Sequence, residues 1–117
     1  MNPASAWARA FAVTLAIELI VVLAITRDSK ESVPRRALLV TFANFVTHPI
    51  VWFVIPEWIS NRAPQLVVCE TWAILAEAIF YALTMRMRGA RAFGIAAVAN
   101  AASYGVGIVL RALTHAI

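Results

Sequence analysis

Four long apolar runs alternate with short polar gaps along the 117-residue chain. The runs fall at about residues 7–26, 36–55, 66–85 and 93–113, each close to the ~20 residues a helix needs to cross a bilayer. Within each run the apolar positions are continuous rather than alternating, which argues for helix over strand. Only helices and closed barrels satisfy their own backbone in lipid. The gaps read RDSKESVPRR, PEWISNRAP and RMRGAR, with Pro34, Pro56 and Pro64 at helix boundaries, where proline stops or starts a helix without damage. Connectors this short force antiparallel neighbours. The expected fold is all-α, a single domain over residues 1–117 forming a compact bundle of four transmembrane helices. The two halves have similar spacing, yet no internal repeat stands out. A cleaved leader is not expected at the first run, because Glu18 interrupts the apolar stretch and the run is long enough to span.

Composition supports the membrane class. Hydrophobic residues make up 62% of the chain and charged residues 14%, with a mean hydropathy of +0.81; soluble domains run nearer half apolar and a quarter charged. The net charge of +4 could suggest nucleic acid, but the basic residues collect in the gaps rather than in a long patch, so no nucleic-acid partner is expected. The first and third connectors hold Arg27, Lys30, Arg35, Arg36, Arg86, Arg88 and Arg91, whereas the other side holds only Arg9, Arg62 and Arg111. The positive-inside rule then puts both termini outside, with a bacterial cytoplasmic membrane as the expected location. All four tryptophans, Trp7, Trp52, Trp58 and Trp72, fall toward that outer side, as an interfacial belt or as the wall of a vestibule. The single cysteine, Cys69, excludes an intrachain disulfide and reads as a small buried hydrophobe.

The informative exceptions are polar residues inside the runs. Counting ~1.5 Å per residue from each outer helix end, Glu18, Asn44, Glu77 and Asn100 reach a common depth near mid-bilayer. His48 and Glu70 lie nearer the outer surface, and Ser103 and Tyr104 fall between the two levels. A charged side chain at the bilayer centre costs about 2.5–3.5 kcal/mol even on a lenient scale. No Lys or Arg lies in the middle of any run to offset the three glutamates, so they must be protonated, share protons or bind a cation from outside. Two carboxylates held together cannot both ionise cheaply. The expected ligand-binding set is therefore Glu18, Asn44, Glu77, Asn100, Ser103 and Tyr104, with His48 meeting Glu70 as the candidate pair for a divalent metal ion. The competing reading is that these groups only hydrogen-bond across helices, worth about 0.6–2 kcal/mol per contact.

Two further features bear on the helices. In NFVTHPIVW, Pro49 frees the carbonyl of Phe45 and should kink the second helix, while Thr47 could bond back to a carbonyl one turn earlier. In the last run, Ala97, Ala101 and Gly105 form a small-residue ridge suited to close helix packing, within the bundle or between protomers. No HExxH, phosphate-binding glycine loop, CxxC or nucleophile elbow occurs. The leading expectation is a small transporter or channel-like protein, oligomeric because four short helices enclose little volume, that binds a proton, metal ion or small cation. The alternatives are an accessory subunit docking onto partner membrane subunits and a metal-dependent intramembrane enzyme.

Overall fold

The computed structural model describes residues 2–114. Its helices are α1 (Pro3–Ile25), α2 (Val33–Pro49), a π-helical segment (Ile50–Val54), α3 (Ile55–Trp58), α4 (Arg62–Thr84) and α5 (Gly89–Thr114). No strand occurs among the described residues. Four helical stretches, Pro3–Ile25, Val33–Trp58, Arg62–Thr84 and Gly89–Thr114, are long and apolar enough to cross a membrane.

Each helix begins earlier than its apolar run. At the first two, local chemistry explains the difference. The Asn2 carboxamide accepts from the backbone N–H of Ser5 and the Ser32 hydroxyl from that of Arg35, each followed by a proline in the first turn. Capping therefore recruits residues that hydropathy alone assigns to the gap. At the other end of α4 the chain turns through Arg86, whose φ of 52° is the left-handed conformation common just after a helix terminus.

Around the bundle the helices follow in the order α1, α2, α4, α5, each packed on two neighbours, so that α1 faces α4 and α2 faces α5 across the centre. One half of the bundle is packed solid. Val22, Val40, Tyr81, Ala92, Ala96 and Ala99 lose essentially all exposure there, and the alanines of α5 permit close approach. The outer surface is apolar: Ile20, Leu38, Ile79 and Leu83 are among its most exposed side chains. Glu18, Asn44, Thr47, Glu77, Asn100 and Ser103 are buried inside while large aliphatic side chains cover the outside, the reverse of what a domain built for water shows.

The second span does not simply kink at Pro49. The helix runs through the proline, which lacks a backbone donor, and then widens into the π-helical turn Ile50–Val54, a rare geometry found mostly as single turns inside α-helices. The ridge Ala97, Ala101 and Gly105 is not a packing seam of the chain itself: Ala101 and Gly105 are exposed, and nothing lies within 4 Å of a Cβ built on Gly105. Ala92, Ala96 and Ala99 form the buried face instead.

Candidate functional site

Glu18 on α1 and Glu77 on α4 are each 1% exposed, and their carboxyl groups meet across the bundle centre within hydrogen-bond reach of each other. Each receives two side-chain donors from the flanking helices. Asn44 Nδ2 donates to Glu18 Oε1 at 3.2 Å and Ser103 Oγ to Glu18 Oε2 at 3.3 Å. Asn100 Nδ2 donates to Glu77 Oε1 at 2.9 Å and Thr47 Oγ1 to Glu77 Oε2 at 3.1 Å. Both asparagines are fixed by bonds to the carbonyls one turn back on their own helices, Val40 at 2.9 Å and Ala96 at 2.8 Å. The donors hold the carboxyl oxygens in place, and no buried Lys or Arg balances them; the nearest buried cation in sequence, Arg36, is spent on the Glu31 and Leu23 carbonyls and the Thr26 hydroxyl.

This arrangement has a twofold pattern that the sequence conceals. ANFVT on α2 (Ala43 to Thr47) matches ANAAS on α5 (Ala99 to Ser103), each an asparagine followed by a hydroxyl almost one turn later. Glu18 and Glu77 occupy equivalent places on α1 and α4, each bonded to the asparagine of the next helix in the chain and to the hydroxyl of the other neighbour. The same symmetry holds at the connector end. Arg35, at the start of α2, donates to the Thr84 carbonyl closing α4, and Arg91, at the start of α5, donates to the Ile25 carbonyl closing α1. Each arginine also pairs with a connector acid at 2.7 Å, Arg35 with Glu31 and Arg91 with Asp28. The chain is thus two helical hairpins related by a pseudo-twofold axis through the carboxyl pair.

Above the pair, toward the termini, lies a cavity of about 460 Å³. Its floor is Glu18, Glu77, Asn44, Asn100, Thr47 and Ser103, and its mouth includes Arg62, Gln65 and Arg111. Every lining residue lies at the carboxyl level or on the terminal side of it, whereas the packed core fills the connector side. A separate apolar groove of about 280 Å³ between α2 and α4 also reaches Glu77 from the lateral face, past Phe42, Ile79 and Phe80.

The structure brings Glu18, Asn44, Glu77, Asn100 and Ser103 into one hydrogen-bonded layer; Tyr104 stands higher on the cavity wall, 38% exposed. His48 and Glu70 both line the cavity but do not meet as expected. His48 is turned toward α1, where its Nδ1 accepts from the Trp7 indole at 3.1 Å and its ring packs edge-on to Phe11, leaving Glu70 alone on α4. Among the described residues no three His, Cys, Asp or Glu side chains gather as a metal site. Sequence reasoning missed Thr47, read as bonding to its own helix; its single proton goes to the Glu77 carboxyl instead. The match between ANFVT and ANAAS was the signal that could have found it. Trp52 is part of the cavity wall, whereas Trp58, 84% exposed, points away from the bundle.

Compared with known protein families, curated proteins and solved structures, the chain matches none.

Proposed function

We propose that the chain is an integral membrane carrier that binds a small cation at the Glu18–Glu77 pair in exchange for a proton. The observation that carries this reading is the position of the pair: two facing carboxyls, without a buried countercharge, at the floor of a cavity open at one end. In an apolar medium two adjacent carboxylates cannot both stay ionised, so the empty pair holds at least one proton. An arriving cation supplies the missing charge and releases that proton, while Asn44, Asn100, Thr47 and Ser103 keep the oxygens aimed throughout. By the positive-inside rule the cavity opens outward and the packed connector end faces the cytoplasm. The solid core there fits a carrier closed on one side rather than an open channel, and oligomerisation is not needed to build this site.

The test is ligand-dependent melting of the purified protein in detergent or nanodiscs, with a panel of metal and organic cations, beside Glu77→Gln. Glutamine keeps an acceptor for Asn100 but cannot carry the charge. The expected outcome is a cation-induced rise in Tm, with proton release on binding, that disappears in the variant while its ligand-free Tm stays close to wild type. A purely structural subunit would give flat, matching curves for both proteins.

A further inference from the structure

We propose that Glu70 is a second anionic station of the same cavity, and that the ligand is a linear aliphatic diamine whose ammonium groups reach Glu70 and the Glu18–Glu77 pair together. The inference rests on the cation-carrier reading and names the class of cation.

The pseudo-twofold axis isolates Glu70 as an exception. When Glu18 is matched with Glu77, the place of Glu70 on α4 corresponds to that of Phe11 on α1. Phe11 does ordinary packing work, 8% exposed against Phe45 and His48. The hairpin fold therefore accepts an apolar ring at this position and does not require an acid. Glu70 nonetheless is one, half-buried in the cavity wall. Its carboxylate makes no hydrogen bond or ion pair among the described residues, and the guanidinium groups that share the cavity, Arg62 and Arg111, are not bonded to it. At the mouth Arg62 donates to the Gln65 carboxamide at 3.2 Å.

Spacing then selects the ligand. Glu70 and Glu77 are two helical turns apart on α4, about 10 Å along its axis. With each ammonium sitting about 2.8 Å from a carboxylate oxygen, the span corresponds to two nitrogens roughly 6–10 Å apart, or about four to seven methylenes. The cavity wall includes the apolar side chains of Val51, Trp52 and Ala73, suited to a methylene chain. A cavity of about 460 Å³ is far larger than a bare ion needs. A diammonium places one positive charge at each station, whereas a monoamine leaves one of the two without a cation.

Isothermal titration of the purified protein with α,ω-diamines of two to eight carbons, beside n-alkylamines of equal length, tests the proposal. The expected result is an affinity maximum at intermediate length, with the best diamine about tenfold tighter than its monoamine. Glu70→Gln should lower that diamine to the monoamine level and leave the monoamine Kd within about twofold. Glu70→Phe, the residue of the other hairpin, should do the same and serves if the glutamine variant is poorly folded. Diamines and monoamines binding equally, both lost in Glu77→Gln, would overturn the diamine proposal and leave the carrier standing. Absence of amine binding to wild type, with another cation binding, would also overturn it; silence toward every cation would sink both.

Discussion

Each buried glutamate is held by one carboxamide and one hydroxyl, and the two sets are near copies. Removing one donor leaves a buried carboxyl oxygen without its protein partner. Side-chain hydrogen bonds between helices in apolar surroundings average about 0.6 kcal/mol and reach about 1.7, and an orphaned buried acceptor costs about 1–3 kcal/mol. Asn100→Ala should therefore destabilise by about 1–2 kcal/mol, and Asn44→Ala by a similar amount because its geometry is equivalent. Tyr81 supplies the contrast. Its hydroxyl is buried without a partner among the described residues, so Tyr81→Phe removes a polar atom that holds nothing. That variant should be as stable as wild type or more so. Reversible unfolding in mixed micelles checks all three; a Tyr81→Phe loss as large as that of Asn100→Ala would mean that the phenol is paired after all.

At the level of elements, the connector end is tied by arginines that serve the chain twice. Arg91 satisfies the Ile25 carbonyl at the close of α1, where a positive charge also favours the helix dipole, and pairs with Asp28 on the connector. The Arg91 hydrogen bond holds the Asp28 carboxyl below its usual range. A lowered carboxylate pKa contributes stability that is present above the ordinary value near 4 and is lost as pH falls through the lowered one. Asp28→Asn should thus melt slightly below wild type at neutral pH, with the gap closing on acidification below about pH 4 and with added salt. Arg91→Ala should melt lower still, since it also leaves the Ile25 carbonyl uncapped. A gap between Asp28→Asn and wild type that widens as pH falls would contradict this sign. Helix existence was readable from the apolar runs, because length and continuity decide it. The helix starts at Pro3 and Val33 were not, because Asn2 and Ser32 act through single hydrogen bonds that hydropathy does not register. The π-helical turn after Pro49 was hidden for a similar reason: the sequence marks the missing donor, not how the next turn absorbs it.

For the whole molecule, the pseudo-twofold axis explains both what was legible and what was not. The depths of Glu18, Asn44, Glu77 and Asn100 could be counted along their runs, yet the repeat relating them escaped notice. Outward positions need only be apolar, so Leu38 and Gly94, at equivalent places on α2 and α5, share no identity; the likeness survives where side chains meet at the axis. The carboxyl layer on that axis separates a packed connector half from a hollow terminal half, and chemical access can test that division. Cys69 is the only cysteine, so a Cys69→Ala background gives a clean start. A cysteine replacing Thr14 would line the cavity, whereas one replacing Ala96, fully buried below the carboxyl level, would lie in the packed core. In right-side-out vesicles a membrane-impermeant maleimide should label Thr14→Cys and spare Ala96→Cys. Inside-out vesicles without ligand should protect both, because the connector end is closed. Labelling of Thr14→Cys from the inside-out face alone would reverse the assigned orientation, and equal labelling from both faces would replace a carrier closed on one side with an open pore. A cation that slows Thr14→Cys labelling in the Cys69→Ala background, but not with Glu77→Gln added, would tie occupancy of the cavity to the carboxyl pair at its floor.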